Sequence, residues 1–374
     1  MLETLSIDRG LIAFAITVIL FLILLPLATR FGLLDYPAGR KDHETPTPVI
    51  GGLAIVLGII ITRFLTDDDS YMFLGSFISA ASVLLVVGHL DDHYDLRWYV
   101  RIGAQVVAAL IMIYGAGIRV EHLAPAFGLE QFNLGWLTIP FTIFATVGLI
   151  NAMNMIDGVD GLSGSIFLAA MIMVLAAALY SGNEFVYDRQ MVIIGATLAF
   201  LVFNARYPGQ LKAKTFLGNA GSAMLGLIMA WQTFRLTQNP GHPVNPALAL
   251  WFLPIPVMDT LVLMVRRVRH GHSPFHADRN HIHHLMLEAG FTPSQLAITL
   301  FAFSGIFGLI MGQAMRIDVP YPMLLMMFFL MCLGWYKATV DRTHAVEFFR
   351  HLHVLFFGWT KRLKADAAKT SIHS

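Results

Sequence analysis

The chain has 374 residues, 56% hydrophobic and 13% charged, with a formal net charge of +1 and a mean hydropathy of +0.66. Soluble domains average about 25% charged residues, so this composition excludes an ordinary soluble globular protein and indicates a polytopic membrane protein. A near-neutral balance gives no sign of a nucleic-acid partner, and the single cysteine, Cys332 in an apolar run, excludes an intrachain disulfide.

Apolar runs of bilayer length fall near 11–29, 49–66, 71–90, 102–118, 134–152, 162–180, 190–204, 216–234, 246–265, 297–315 and 320–336. The expected fold is all-α, with about eleven transmembrane helices. The first run follows Glu3, Asp8 and Arg9 without a basic leader or a small-residue cleavage site, and reads as an uncleaved span. Assigning alternate loops to alternate sides gathers 19 of the 25 Lys and Arg residues on one side and leaves Arg9, Arg63, Arg119, Arg189, Arg235 and Arg316 on the other. The positive-inside bias makes the crowded side cytoplasmic, the N-terminus periplasmic and the C-terminus cytoplasmic. No repeat or low-complexity linker divides the chain. A single transmembrane domain is expected over 1–340, with cytoplasmic loops 30–48, 91–101, 153–161, 205–215 and 266–296. A basic tail over 341–374 follows, with Phe348, Phe349, Leu355, Phe356, Phe357 and Trp359 spaced among cations as in an interfacial amphipathic helix. On the outer side, Asp67-Asp68-Asp69 and residues 182–188 read as solvated connectors.

The polar chemistry collects in the inner loops. The first carries Arg40, Lys41 and His43 ahead of Gly51-Gly52, fixed cations that suit a diphosphate or a lipid phosphate and that a basic juxtamembrane loop would also supply. The second holds Asp91-Asp92-His93-Tyr94-Asp95, where adjacent side chains diverge on a helix while Asp91 and Asp95, four apart, share a face. In the third, Asn151, Asn154, Asp157 and Asp160 recur at three-residue steps, giving a polar stripe broken by Gly158 and Gly161. Hard oxygen ligands of this kind suit Mg2+, which takes one or two carboxylates together with substrate phosphates and water. The fourth leads into Phe216-Leu217-Gly218-Asn219-Ala220-Gly221-Ser222, a glycine-flanked helix start. The fifth, residues 266–284, contains six of the 15 histidines among arginines; zinc is the rival reading, and the absence of a cysteine partner favours a sugar-nucleotide pocket.

Together, Asp91-Asp92-x-x-Asp95, Asn151-x-x-Asn154-x-x-Asp157-Gly-x-Asp160-Gly, Phe216-x-Gly218-x-x-Gly221-Ser222 and Ser273-Pro-Phe-x-x-Asp278-Arg-x-His281-Ile-His283-His284 resemble the polyprenyl-phosphate N-acetylhexosamine-1-phosphate transferases. The His-Ile-His-His form is similar to the bacterial members that join UDP-N-acetylglucosamine to undecaprenyl phosphate. The resemblance spans about residues 35 to 290. It implies an enzyme of the bacterial inner membrane with its active site facing the cytoplasm. UDP-GlcNAc and undecaprenyl phosphate would be its partners, alongside membrane lipid and with a homodimer left open. Mg2+ would be the cofactor, with Mn2+ able to substitute. By position it makes Asp91 the base or lipid-phosphate orienter, Asp92, Asn154 and Asn219 the metal shell, and Asp157 and Asp160 holders of the nucleotide end. His281, backed by His283 and His284, would contact the diphosphate and Arg267 would read the sugar, with Lys41, His43, Asn151 and Asn204 as further substrate contacts. The downstream polymer, O-antigen or another, stays open, as does direct attack against a covalent aspartyl route.

One position departs from the family pattern, which carries Asp where this chain has Asn219. An amide oxygen still coordinates Mg2+, with less charge, and a plain helix-capping role is the alternative. Two other functions stay in view. A transporter would place its acids mid-span rather than at helix ends, and a catalytically dead scaffold would give no reason to hold the remaining motif residues.

Overall fold

Every one of the eleven apolar runs is helical in the computed structural model, which describes residues 7–36, 45–66, 71–123, 132–238, 244–273 and 279–358. In chain order the helices are α1 (Ile7–Phe31), α2 (Gly51–Thr66), α3 (Tyr71–Tyr94), α4 (Trp98–Ala116), α5 (Thr138–Ile156), α6 (Leu162–Tyr180) and α7 (Glu184–Asn204). There follow α8 (Gly218–Thr237), α9 (Ala249–Phe252), α10 (Pro254–Arg269), α11 (Ile282–Glu288), α12 (Pro293–Arg316), α13 (Tyr321–Ala338) and α14 (Arg342–Phe357). Among the described residues, α1, α3 to α7, α12 and α13 are long and apolar enough to cross a bilayer. The fold is that of a polytopic helical membrane protein.

The other runs depart from simple spans for local reasons. The 246–265 run is broken: α10 leaves the preceding helical segment at 89°, with the turn at Leu253 and Pro254. Proline removes a helical donor and forces the residue before it out of the helical region, and Leu253 sits at φ −134°, ψ 55°. At 16 residues α2 is short. The 20-residue α8 is long enough but less apolar than the other spans, and every residue from Ala220 to Phe234 is buried.

Burial of α8 on all sides requires its neighbours to approach closely, which only small residues permit. A Cβ on Gly52 of α2 would overlap the Cα of Gly221, one on Gly88 of α3 would overlap the Cα of Ala220, and one on Gly226 would overlap the Cα of Ile150 on α5. The polar end of α8 is tied to α2 as well. Phe216 donates its N–H to Pro48 O at 2.9 Å, and Gly51 donates to Phe216 O at 2.9 Å. Pro48 belongs to a short antiparallel ladder, Leu34–Asp35 with Thr47–Pro48, that links α1 to α2.

At the other end of the chain, the expected tail is a helix packed on the bundle. Asp341 accepts the N–H groups of Thr343 and His344 and so starts α14, whose Val346, Phe349 and His353 are buried while Phe348, Leu355 and Phe356 stay exposed. Trp359 and the basic residues beyond it lie outside the described residues. Arg342 donates to Arg279 O and to Asn280 Oδ1, each at 2.7 Å, and pairs with Glu288, which fixes α14 to both sides of α11.

Because a side chain at position 52 meets backbone rather than a movable side chain, Gly52→Val should cost at least about 1–3 kcal/mol, the usual penalty of overpacking. The expected result is a fall of several degrees in the melting temperature of the detergent-solubilised protein. Gly75→Ala, where an added Cβ meets nothing within 4 Å, should leave it unchanged or raise it.

Candidate active site

Five helix ends converge: the C-terminal ends of α3, α5 and α10 and the N-terminal ends of α4 and α8. They enclose a cavity of about 260 Å3 whose polar lining includes Asp91, Arg101, Gln105, Asn151, Asn154, Asn219, Arg267 and His281, with Leu84, Val87, Trp98 and Ile102 on its apolar side. Residues more than a hundred positions apart in the sequence thus share one chamber.

The two adjacent aspartates do different things. Asp92 Oδ1 accepts the backbone N–H of Asn219 at 2.9 Å, so a carboxylate on α3 caps the start of α8 from outside that helix. Leu217, the residue at the N-cap position itself, offers no side-chain acceptor. A negative charge there also meets the positive end of the α8 dipole. Asp92 Oδ2 is buried with no hydrogen-bond partner among the described residues. Asp91, 1% exposed at its side chain, accepts Leu96 N–H at 2.8 Å and faces Arg101 Nη1 at 3.3 Å. The expected shared face of Asp91 and Asp95 does not form. The helix stops at Tyr94, and Asp95 turns out to solvent at φ 50°.

The amide stripe is helical only as far as Ile156. Asn151 donates to Gln105 Oε1 at 2.7 Å and to Val147 O at 2.8 Å. Asn154 donates through Nδ2 to Asn219 Oδ1 at 3.1 Å and to Ser222 Oγ at 2.9 Å. Asn219 therefore sits inside the first turn of α8 with its side chain directed to α5, and capping is not its role. Asp157 and Asp160 lie in the tight turn between α5 and α6. Asp160 pairs with Arg206 Nε at 2.6 Å and accepts Ala213 N–H at 3.2 Å. Burial pushes the Asp157 carboxyl up to about 7; the Ser163 hydroxyl, donating at 2.6 Å, pulls it down, and Asp92 and Asp160 push it up.

In the histidine loop, His281 is 7% exposed and uses both ring nitrogens. Nδ1 lies 2.9 Å from Asp259 Oδ2, and Nε2 lies 3.3 Å from Arg267 Nη2. His283 is packed beneath it against Gly158, where any Cβ would collide with the imidazole. Burial, with His284 and His281 beside it, holds the His283 imidazole well below its ordinary value, so it is neutral. The His284 ring lies tilted against His283, with centroids 4.1 Å apart.

The other sequence-selected residues are placed as follows. Asn204 is buried and spends its amide internally, accepting Gly161 N–H and donating to Thr215 O, both at 2.8 Å; it joins three loops and does not line the cavity. Lys41, His43 and Asp278 lie outside the described residues. Sequence reasoning passed over Asp259, Arg101, Gln105 and Arg206. Asp259 had a readable signal, being the single charged residue within the 246–265 run.

Among the described residues no three His, Cys, Asp or Glu side chains gather into a metal-holding group. A cation at this site would rest on one carboxylate, amide oxygens and substrate phosphate, a donor set within the habit of Mg2+ and one that gives Asp92 Oδ2 a partner.

Fold and cavity together define a helical membrane protein with a chamber at its helix ends that has a charged and amide-lined side and an apolar side. The chain belongs to glycosyl transferase family 4, whose pattern residues 74–237 match. Curated relatives extend the likeness past that segment. A Haemophilus influenzae protein is 33% identical over 350 residues, 93% of this chain and 95% of its own. Proteins of Yersinia pestis and Salmonella typhi are each 34% identical, over 75% and 77% of this chain and 78% of their own length. All three carry the name undecaprenyl-phosphate alpha-N-acetylglucosaminyl 1-phosphate transferase.

A carboxyl raised from 3.8 to about 7 on folding stabilises the fold through its proton, so the Asp157 contribution is fully present below 3.8 and is lost as pH rises through about 7. The melting temperature of the solubilised protein should therefore fall across that window. In Asp157→Asn this fall should be smaller, and superimposable pH profiles of the two proteins would refute the assignment.

Proposed function

We propose that the protein transfers N-acetylglucosamine 1-phosphate from UDP-GlcNAc to undecaprenyl phosphate, releasing UMP and leaving a lipid-linked GlcNAc diphosphate. The observation that carries this reading is the convergence, on one cavity, of residues from four of the five inner-loop clusters: Asp91, Asn154, Asn219 and His281 with Arg267. The names of the relatives agree with it. Those helix ends correspond to one side of the membrane in an arrangement of eleven crossings. We place the N-terminus outside, the C-terminus inside and the cavity at the cytoplasmic face of the inner membrane, where a nucleotide sugar is available.

In this scheme an oxygen of the lipid phosphate attacks the sugar-bearing phosphorus of the diphosphate. The bond from that phosphorus to the bridging oxygen breaks, and UMP takes the electron pair. Positioning and neutralisation of charge do most of the work in such transfers. Arg101 beside Asp91 gives the lipid phosphate a cation, and the apolar side formed by Leu84, Val87, Trp98 and Ile102 receives the first part of its chain. Asp91, with its oxygens engaged by Leu96 N–H and Arg101, orients the attacking phosphate, which favours direct attack over a covalent aspartyl intermediate. Arg267 and His281 face the diphosphate from the opposite wall. Asp92, Asn154 and Asn219 would hold Mg2+, which when bound neutralises diphosphate charge and helps UMP to leave.

UMP release by the purified protein given UDP-GlcNAc, undecaprenyl phosphate and Mg2+ tests the reaction, and its absence under all three would refute it. Asp91→Asn should fold normally and lose about two or more orders of magnitude in turnover. In Asn219→Asp, the restored carboxylate lies beside Asp92, so the variant should melt lower in chelator, recover with Mg2+, and reach half-maximal turnover at lower Mg2+ than the unaltered protein. Equal Mg2+ curves for both proteins would remove position 219 from the metal shell.

A further inference from the structure

We infer that Asp259 is a positioning residue of this reaction, acting through His281. It rests on the transferase reading for its kinetic consequence and on geometry alone for its structural one. Asp259 lies on α10 in the middle of an otherwise uncharged run, is 2% exposed, and is surrounded by donors. Its Oδ2 meets His281 Nδ1 at 2.9 Å. Its Oδ1 accepts Trp335 Nε1–H from α13 at 3.2 Å and the backbone N–H of Ile282 at 3.3 Å. A buried carboxylate is costly in an apolar surrounding, and three converging donors offset that cost.

The arrangement settles which nitrogen of His281 carries hydrogen. A carboxylate only accepts, so Nδ1 must donate to Asp259. A guanidinium only donates, so Nε2 must present its lone pair to Arg267 at 3.3 Å. His281 is therefore neutral, protonated on Nδ1, with Nε2 in the cavity wall. An entering diphosphate draws the Arg267 N–H groups to itself. Nε2 is then released from Arg267 while Nδ1–H stays on Asp259, so the ring keeps its place in the cavity wall. The carboxylate never touches substrate, yet it sets the ring plane and the tautomer.

Replacing Asp259 by Asn leaves the shape and removes this logic. One amide oxygen cannot serve His281, Ile282 and Trp335 at once, and the NH2 group must face at least one donor. Asp259→Asn should lower kcat by about 100-fold or more, the range seen when an orienting carboxylate is lost, while KM for UDP-GlcNAc changes by less than about threefold. Asp259→Asn combined with His281→Ala should be no slower than His281→Ala alone, because both changes remove the same device. Near-native turnover in Asp259→Asn, or additive losses in the double variant, would overturn the inference.

Two further measurements cover the remaining outcomes. If Asp259→Asn does not fold, as judged by thermal melting, Trp335→Phe withdraws one donor and keeps the carboxylate. Its loss in kcat should be clear in the unaltered background and absent with His281→Ala, and equal losses in both backgrounds would refute the role. If the unaltered protein releases no UMP, the transferase reading fails. The positioning role is then judged by 15N-histidine NMR of the ligand-free protein, with His281 assigned by its disappearance in His281→Ala. An Nδ1–H tautomer that Trp335→Phe or Asp259→Asn perturbs supports it, and an Nε2–H tautomer overturns it.

Discussion

The contact on which the rest of the site depends is the one between Asp92 and the start of α8. Helices leave their first N–H groups unsatisfied, and at a buried helix end neither water nor a flexible loop is at hand to accept them. Here the acceptor comes from α3. The same bond fixes the height of α8 against α3, and with it the positions of Asn219 and Ser222 opposite Asn154. Glycine contacts to α2, α3 and α5 hold α8 laterally, so its polar end has little freedom to drift. Geometry accurate enough for group transfer follows from backbone packing more than from any single side chain.

The chamber is notable for how few net charges it gathers. In its wall Asp91 is met by Arg101, while asparagines and Gln105 supply much of the remaining polarity; behind the wall Asp160 is met by Arg206, and Asp259 by His281 and Trp335. Amides satisfy one another in the absence of ligand and can exchange those bonds for ligand bonds without a large change in desolvation. Carboxylates in their place would repel one another at the rim of a low-dielectric slab. The histidine loop is braced from outside by Arg342 on α14, so the exposed aromatic face of that helix and the His281 wall belong to one connected unit.

Much of this was legible in the sequence because the bilayer imposes a long, simple period. Each apolar run coincides with helix, one of them broken at Leu253, and Asp91, Asn154 and His281, which cluster at run ends, line one cavity. What misled was local. The reading of Asp91 with Asp95 assumed that α3 continues, whereas Asp91 folds back on Leu96 and ends it. The resemblance made Asn204 a substrate contact, and in the structure its amide is spent between Gly161 N–H and Thr215 O. Asp259 was overlooked because it has no motif around it. Its importance comes from partners at 281 and 335, which only the tertiary arrangement brings near.

The near-total burial of α8 has a consequence for how the protein is made. A segment less apolar than its neighbours, with Ser222, Gln232, Thr233 and Arg235 along its length, has little to hold it in lipid by itself. Its partners α2, α3 and α5 are all synthesised earlier. The order of synthesis then gives an order of assembly: the emerging α8 meets the glycines of helices made before it, and α10 with the histidine loop, made after it, closes the chamber.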